Sequence, residues 1–315
     1  MATPDGSPAA GDDPHRMPAP APPQPADPLA RLRAADELGA EYLAAYAARF
    51  AARQAGRATG PTTGLPALDT ALGGELHPRT ATLVLGNTGV GKTAFVMQAA
   101  LGTCAVPAPV LFVTTELDAG QLFERAIAAV TGMAVGALQQ ARVPTERVSE
   151  LAAATSDALR GFVLADAIGE PAPPRDVGVW LAALAERGPF ALCIIDSIHM
   201  WAARWAPPEA TEYQAISLGM MQARALAVEH GAAVLATGEM NRDGLKNGGG
   251  LNTGAGSRRL EYASDVVCEL RRAAGAKPDG RGAVPVTIAV HKNRFGMPRE
   301  VEATFNGSLQ RFGEA

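Results

Sequence analysis

Gly86-Asn87-Thr88-Gly89-Val90-Gly91-Lys92-Thr93 decides the fold of this chain. The apolar run Thr82-Leu83-Val84-Leu85 precedes it, and Ala94-Phe95-Val96-Met97-Gln98 continues it as a helix. G-x-x-x-x-G-K-T between a strand and a helix is the pattern of a phosphate-binding loop. The glycines let backbone N–H groups curl around a phosphate without Cβ clashes. The helix N-terminus adds the positive end of its dipole. Lys92 is a compact ammonium that can reach β- and γ-phosphates, and Thr93 offers a hydroxyl to Mg²⁺. Residues 86–93 are therefore expected to bind ATP with Mg²⁺. A plain Gly-rich turn would leave the lysine unexplained, because only Lys92, Lys246, Lys277 and Lys292 are lysines among 28 basic residues. A dinucleotide-binding loop has no place for Gly-Lys-Thr.

The length of 315 residues allows one large domain or two small ones. A net charge of -4 excludes a strongly basic nucleic-acid coat protein while leaving room for a local basic site. Three cysteines exclude a disulfide framework and a four-cysteine zinc site from this chain alone. Cys104, Cys193 and Cys268 stand in apolar contexts and are expected to be buried. No apolar run reaches the roughly 18 residues of a membrane span. The N-terminus has no charged segment followed by an apolar stretch, so no secretory signal is read there. A cytoplasmic protein with reduced thiols is the expectation.

Residues 1–28 are rich in Pro, Ala, Gly and Asp, as in Pro18-Ala19-Pro20-Ala21-Pro22-Pro23, and are expected to be a disordered tail. Leu29, Leu32, Leu38, Tyr42, Leu43, Tyr46 and Phe50 then fall mostly at three- and four-residue spacings. That spacing predicts an amphipathic linker helix within 29–58, ended by Gly56, Gly60 and Pro61. From residue 59 to 315 short apolar runs alternate with helical stretches. The runs are 82–86, 110–115, 162–165, 191–196, 232–237, 266–270 and 286–290. Helical patterns fill 93–103, 119–130, 145–159, 176–186 and 213–230. This alternation predicts an α/β fold with a mostly parallel central sheet flanked by helices.

Ala191-Leu192-Cys193-Ile194-Ile195-Asp196 predicts a buried strand with Asp196 at its C-terminal end, where open α/β sheets bind ligands. Asp196 is the candidate support for Mg²⁺, beside Thr93. Glu116 follows the strand at 110–115 and would lie beside the γ-phosphate if that strand neighboured the phosphate-loop strand. It would then orient or deprotonate water. Glu116 and Asp118 also stand just before the helix at 119–130, where carboxylates favour the dipole. Spacing leaves both readings open.

Several blocks then read together. Thr63-Gly64-Leu65-Pro66-Ala67-Leu68-Asp69 with Leu72-Gly73-Gly74 resembles the lead-in of RecA-like ATPases. Thr114-Thr115-Glu116-Leu117 with Gln121, Leu122 and Arg125 resembles the S-L-E-M…Q-L…R block of DnaB-type replicative helicases. Ile195-Asp196-Ser197-Ile198 is similar to D-S-I-Q of RadA/Sms proteins, and Gly238-Glu239-Met240-Asn241-Arg242 to S-Q-L-N-R of DnaB. Leu260 to Val267 is similar to the segment before the sixth strand in both groups. Lys292-Asn293-Arg294-Phe295-Gly296 matches K-N-R-F-G of RadA/Sms.

This resemblance, over roughly residues 62–313, implies a RecA-like P-loop NTPase. It implies that Glu116 activates water, and that Lys292 and Arg294 reach the γ-phosphate of a neighbouring subunit. The implied assembly is a ring or helical homo-oligomer, a hexameric ring being expected. The implied activity is that of an ATP-dependent DNA motor in replication, recombination or repair. A nucleotide-dependent switch or loader that unwinds nothing is the alternative. Two residues depart from the pattern. Glu239 stands where DnaB proteins carry a γ-phosphate-sensing glutamine, and a carboxylate there repels phosphate unless protonated or paired, with Arg242 one candidate. His199 replaces a glutamine and is expected to be a partly buried structural histidine.

Residues 240–315 carry a net charge of +4, against -8 for the rest. Within them Arg242, Lys246, Asn247, Arg258 and Arg259 flank a Gly-rich stretch and are expected to track single-stranded DNA. Trp201 and Trp205, at i and i+4, would either stack on bases or anchor a short helix to the core.

Overall fold

The computed structural model describes residues 32–106, 108–188, 190–239, 263–273 and 275–315. The chain divides into two units, Met1–Ala51 and Ala52–Ala315. The first is occupied by α1 (Ala35–Gln54), which runs to the start of the second. Asp36 and Glu37 in its first turn and Arg53 in its last complement the helix dipole. Tyr42, Tyr46 and Phe50 stack in sequence along one side, with ring centroids 6.1 and 6.4 Å apart.

The second unit runs α2 (Pro66–Ala71), β1 (Thr80–Gly86), α3 (Lys92–Ala105), β2 (Val110–Thr114), α4 (Ala119–Thr131), α5 (Val135–Gln139) and α6 (Thr145–Ala158). It continues through β3 (Phe162–Asp166), α7 (Pro174–Ala185), β4 (Leu192–Asp196), α8 (Ile198–Ala203), α9 (Glu212–His230) and β5 (Ala233–Glu239). It closes with β6 (Val266–Arg272), β7 (Ala283–Asn293), β8 (Arg299–Asn306) and β9 (Arg311–Glu314). The strands form one sheet in the order β3-β2-β4-β5-β1-β6-β7-β8-β9. From β3 to β6 neighbours run parallel, and from β6 onward they run antiparallel.

Continuous apolar strands are what a sheet covered on both faces requires. Successive side chains point to opposite faces, and the core splits accordingly. Val84, Phe112, Ile194 and Leu235 pack with α3 and α4 on one face. Leu83, Val113, Ile195 and Ala236 pack with α7, α8 and α9 on the other. Asp118 and Thr211 open α4 and α9 with reciprocal capping boxes to Gln121 and Gln214. No helix among the described residues is long and apolar enough to cross a membrane.

Every run expected to be a strand is one. Two strands were not expected. β8, with Arg299, Glu300 and Glu302 between apolar residues, alternates because one face is exposed, and β9 is only four residues long. β3 departs from the buried pattern: as the edge strand it is half-buried. β2 does not neighbour β1; β4 and β5 lie between them.

Candidate active site

The phosphate loop joins β1 to α3. Gly89 and Gly91 hold φ of 79° and 107°, which L side chains rarely adopt. A Cβ on Gly91 would also lie 3.0 Å from Phe305 and 3.1 Å from Phe312. These rings stack at 4.7 Å, and Phe312 meets Phe95 of α3 edge-on at 5.7 Å. The β8–β9 hairpin thus braces the loop from behind. Lys92 Nζ donates to Gly86 O at 2.8 Å and Asn87 O at 3.3 Å, which holds the ammonium within the loop.

Thr93 Oγ1 donates to Asp196 Oδ2 at 2.8 Å. Thr237 Oγ1, from β5, donates to Asp196 Oδ1. Asp196 is buried, at 4% exposure. Burial raises its carboxyl above the ordinary range, the Thr237 and Thr93 bonds lower it, Glu116 raises it and Lys92 lowers it. A hydroxyl and a carboxylate side by side are hard oxygen donors of the kind Mg²⁺ takes. Among the described residues no three His, Cys, Asp or Glu cluster for a metal, so any ion here would draw further oxygens from water or phosphate.

Glu116 reaches this group although β2 lies three places from β1 in the sheet. The register Thr114↔Asp196 sets the ends of β2 and β4 side by side. Glu116 is exposed just past that end, and its Oε1 accepts from Ser197 Oγ at 2.6 Å. Glu239 ends β5 opposite Gly86, and its Oε1 accepts from Thr88 Oγ1 at 3.0 Å. Gly86, Asn87, Thr88, Gly89, Val90, Gly91, Lys92, Thr93, Glu116, Asp196 and Glu239 therefore gather at the C-terminal ends of parallel strands. That is where α/β sheets place their ligands.

The profile of the DnaB-like helicase C terminal domain family matches residues 60–314. The chain belongs to that family. It is 28% identical over 245 residues to DNA repair protein RadA of Mycobacterium tuberculosis, from strains CDC 1551 / Oshkosh and ATCC 25618 / H37Rv. The match covers 76% of this chain and 40% of each relative, so the chain spans about two fifths of their length. Among solved structures it is similar to an ATPase domain solved on its own, with TM-score 0.75 and 18% identity, covering 88% of this chain and 98% of that one. It is also similar to a DnaB-like replicative helicase solved for its interactions with primase, with TM-score 0.71 and 18% identity, covering 86% and 66%. The fold is that of RecA-like P-loop ATPases.

In this DnaB-like domain Lys292 and Arg294 stand apart from the phosphate loop. Lys292 Nζ donates to Ser264 O at 2.7 Å. Asp265 takes Arg294 Nη1 at 3.3 Å, Arg224 Nε at 3.2 Å and the backbone N–H of Ala81 at 3.0 Å. Arg242, Lys246, Asn247, Arg258 and Arg259 lie outside the described residues. Trp201 is 1% exposed and donates from Nε1 to Ala172 O at 2.6 Å, with Trp205 packed edge-on at 5.0 Å. The anchoring alternative therefore holds for Trp201, and the stacking alternative does not. His199 is partly buried as expected. Burial lowers its pKa, opposed by Glu239 and Glu212, with smaller effects from Lys92 and Glu116.

Sequence reasoning missed Ser197, Thr237 and Arg272. Arg272 lies 3.4 Å from Gly89 O and 6.0 Å from the Phe305 ring. Ser197 sat inside a block that was compared for other residues. Thr237 and Arg272 carry no local signal, since their partners lie 41 and 183 residues away.

Proposed function

We propose that the chain is the ATP-hydrolysing motor of a DNA helicase or translocase. It works on single-stranded DNA, in the cytoplasm, at the subunit interfaces of a homo-oligomer built as a hexameric ring. Residues 1–28 serve as a tail, 29–58 as a linker helix and 59–315 as the motor domain. The observation that carries this reading is the gathering of Lys92, Thr93, Asp196 and Glu116 at one loop. Backbone N–H groups of 86–93 and the Lys92 ammonium bind the triphosphate. Thr93 and Asp196 hold Mg²⁺, which neutralises charge on the phosphate oxygens. The exposed Glu116 carboxylate orients the attacking water and takes its proton. Lys292 and Arg294 present cations to the phosphate of the neighbouring subunit. Arg242, Lys246, Asn247, Arg258 and Arg259 contact the strand. RadA's printed name places it in DNA repair, and the similar DnaB-like helicase was solved for its interactions with primase. Both support service in replication, recombination or repair.

The test is ATP turnover with and without single-stranded DNA, in wild type and Lys92→Ala. Turnover that Lys92→Ala abolishes and DNA stimulates is expected. No turnover from the purified oligomer in either condition overturns the reading.

One observation favours a second reading, a nucleotide-dependent loader that unwinds nothing. Glu239 sets a carboxylate on the loop through Thr88, where it opposes a γ-phosphate. Strand displacement discriminates the two, because a loader hydrolyses ATP without releasing the complementary strand.

A further inference from the structure

Ser197 is the residue at this site to which the mechanism above gives no role. It occupies the N-cap position of α8, where a serine ordinarily accepts from a backbone N–H of the first turn. Its side chain makes no such bond. The hydroxyl instead donates to Glu116 Oε1 at 2.6 Å, a length typical of a hydroxyl on a carboxylate.

The backbone around it is clamped. Thr115 N and Thr115 Oγ1 both donate to Asp196 O, at 2.9 and 3.0 Å. Ser197 N donates to Thr115 Oγ1 at 2.9 Å. Thr115 and Ser197 are buried, whereas Glu116 between Thr115 and Leu117 is exposed. A solvent-exposed glutamate samples many rotamers. Here one carboxylate oxygen is tied to a buried, doubly anchored residue.

We propose that Ser197 is a positioning residue for Glu116. Its hydroxyl fixes one carboxylate oxygen, so that the carboxylate meets the water in one orientation. This rests on the reading of Glu116 as the group that activates water. A serine has a single hydroxyl proton, so Ser197 cannot donate to Glu116 and to another acceptor at once. The residue has given up any such second role.

The test measures kcat and KM for ATP, and affinity for a fluorescent ATP analogue, in wild type, Ser197→Ala, Glu116→Gln and the double variant. Ser197→Ala is expected to lower kcat about tenfold, the scale of a displaced reacting group, with KM and analogue affinity unchanged. In the Glu116→Gln background it is expected to add no further loss. Ser197→Thr and Ser197→Val have nearly equal shape and differ by the hydroxyl, so Thr is expected to exceed Val about tenfold in kcat. That pair decides the matter if Ser197→Ala folds poorly. Wild-type kcat in Ser197→Ala beside an inactive Glu116→Gln overturns the positioning role alone. Losses that multiply in the double variant, or that appear in KM, overturn it too. Full turnover by Glu116→Gln, or none by wild type, overturns the underlying reading and the proposal with it.

Discussion

Arg294 Nη1 stands 3.3 Å from Asp265 Oδ1, and Asp265 Oδ2 accepts the N–H of Ala81 at the start of β1. The phosphate loop leaves the other end of that strand. Five residues separate Ala81 from Gly86, about 17 Å of strand, which no arginine side chain spans. Within one subunit Arg294 and Lys292 serve the far end of the sheet. A role on phosphate requires a second subunit. Mixing Lys92→Ala with Arg294→Ala is therefore expected to restore part of the ATP turnover that each lacks alone, because some interfaces regain both intact partners. A mixed oligomer as inactive as its parents would contradict action across the interface.

Asp196 carries a cost in stability. Burial raises its carboxyl, so the folded state holds the proton more readily than the unfolded chain does. Its contribution to stability is fullest at low pH and is lost as pH rises through the raised value. Asp196→Asn removes the charge and keeps acceptor capacity for the two threonines. The variant is expected to melt about 2–4 °C higher than wild type at neutral pH without nucleotide, with the gap closing on acidification. Its Mg²⁺-dependent hydrolysis is expected to be lost. Calorimetry at neutral and acidic pH checks the first part, and phosphate release the second.

The thiols are inert while the chain is folded. Burial pushes Cys104 up to about 11 and Cys193 and Cys268 up to about 12, leaving almost no thiolate at neutral pH. Ellman's reagent is expected to find no fast-reacting cysteine in the native protein, and three after denaturation. Fast native labelling at any of them would show the core opening there.

Trp201→Phe separates packing from DNA contact. The change removes the indole N–H from Ala172 O and leaves a buried carbonyl unpaired. A loss of roughly 1–3 kcal/mol in urea unfolding is expected. Anisotropy with a labelled single strand is expected to give unaltered affinity. Weaker binding at unaltered stability would return Trp201 to the DNA face.

Much of this protein was legible because its signals are local. The phosphate loop is one contiguous strand, turn and helix, and 192–196 announces a buried strand by its apolar run and its terminal Asp196. β8 was hidden because Arg299, Glu300 and Glu302 on its exposed face interrupt the apolar pattern. For Glu116 the expectation named the wrong neighbour. Parallel strands are joined by crossovers whose destination local patterning does not encode, and β2 in fact lies beside β4. Glu116 still reaches the site, because Thr114↔Asp196 aligns the two strand ends.

By itself the sequence determined the α/β class, the phosphate loop at 86–93, the metal-side Asp196 and the family of the chain. Each rests on residues that are adjacent or share a short period. The tertiary structure decided that Trp201 is an anchor, since i and i+4 spacing serves core and platform alike until Ala172 O accepts its proton. It also decided that Arg294 stands at the far end of β1 from the phosphate loop, and that Ser197 forgoes its helix cap for Glu116. The partners in those contacts lie 29 and 81 residues apart, and only the folding of the sheet brings them together.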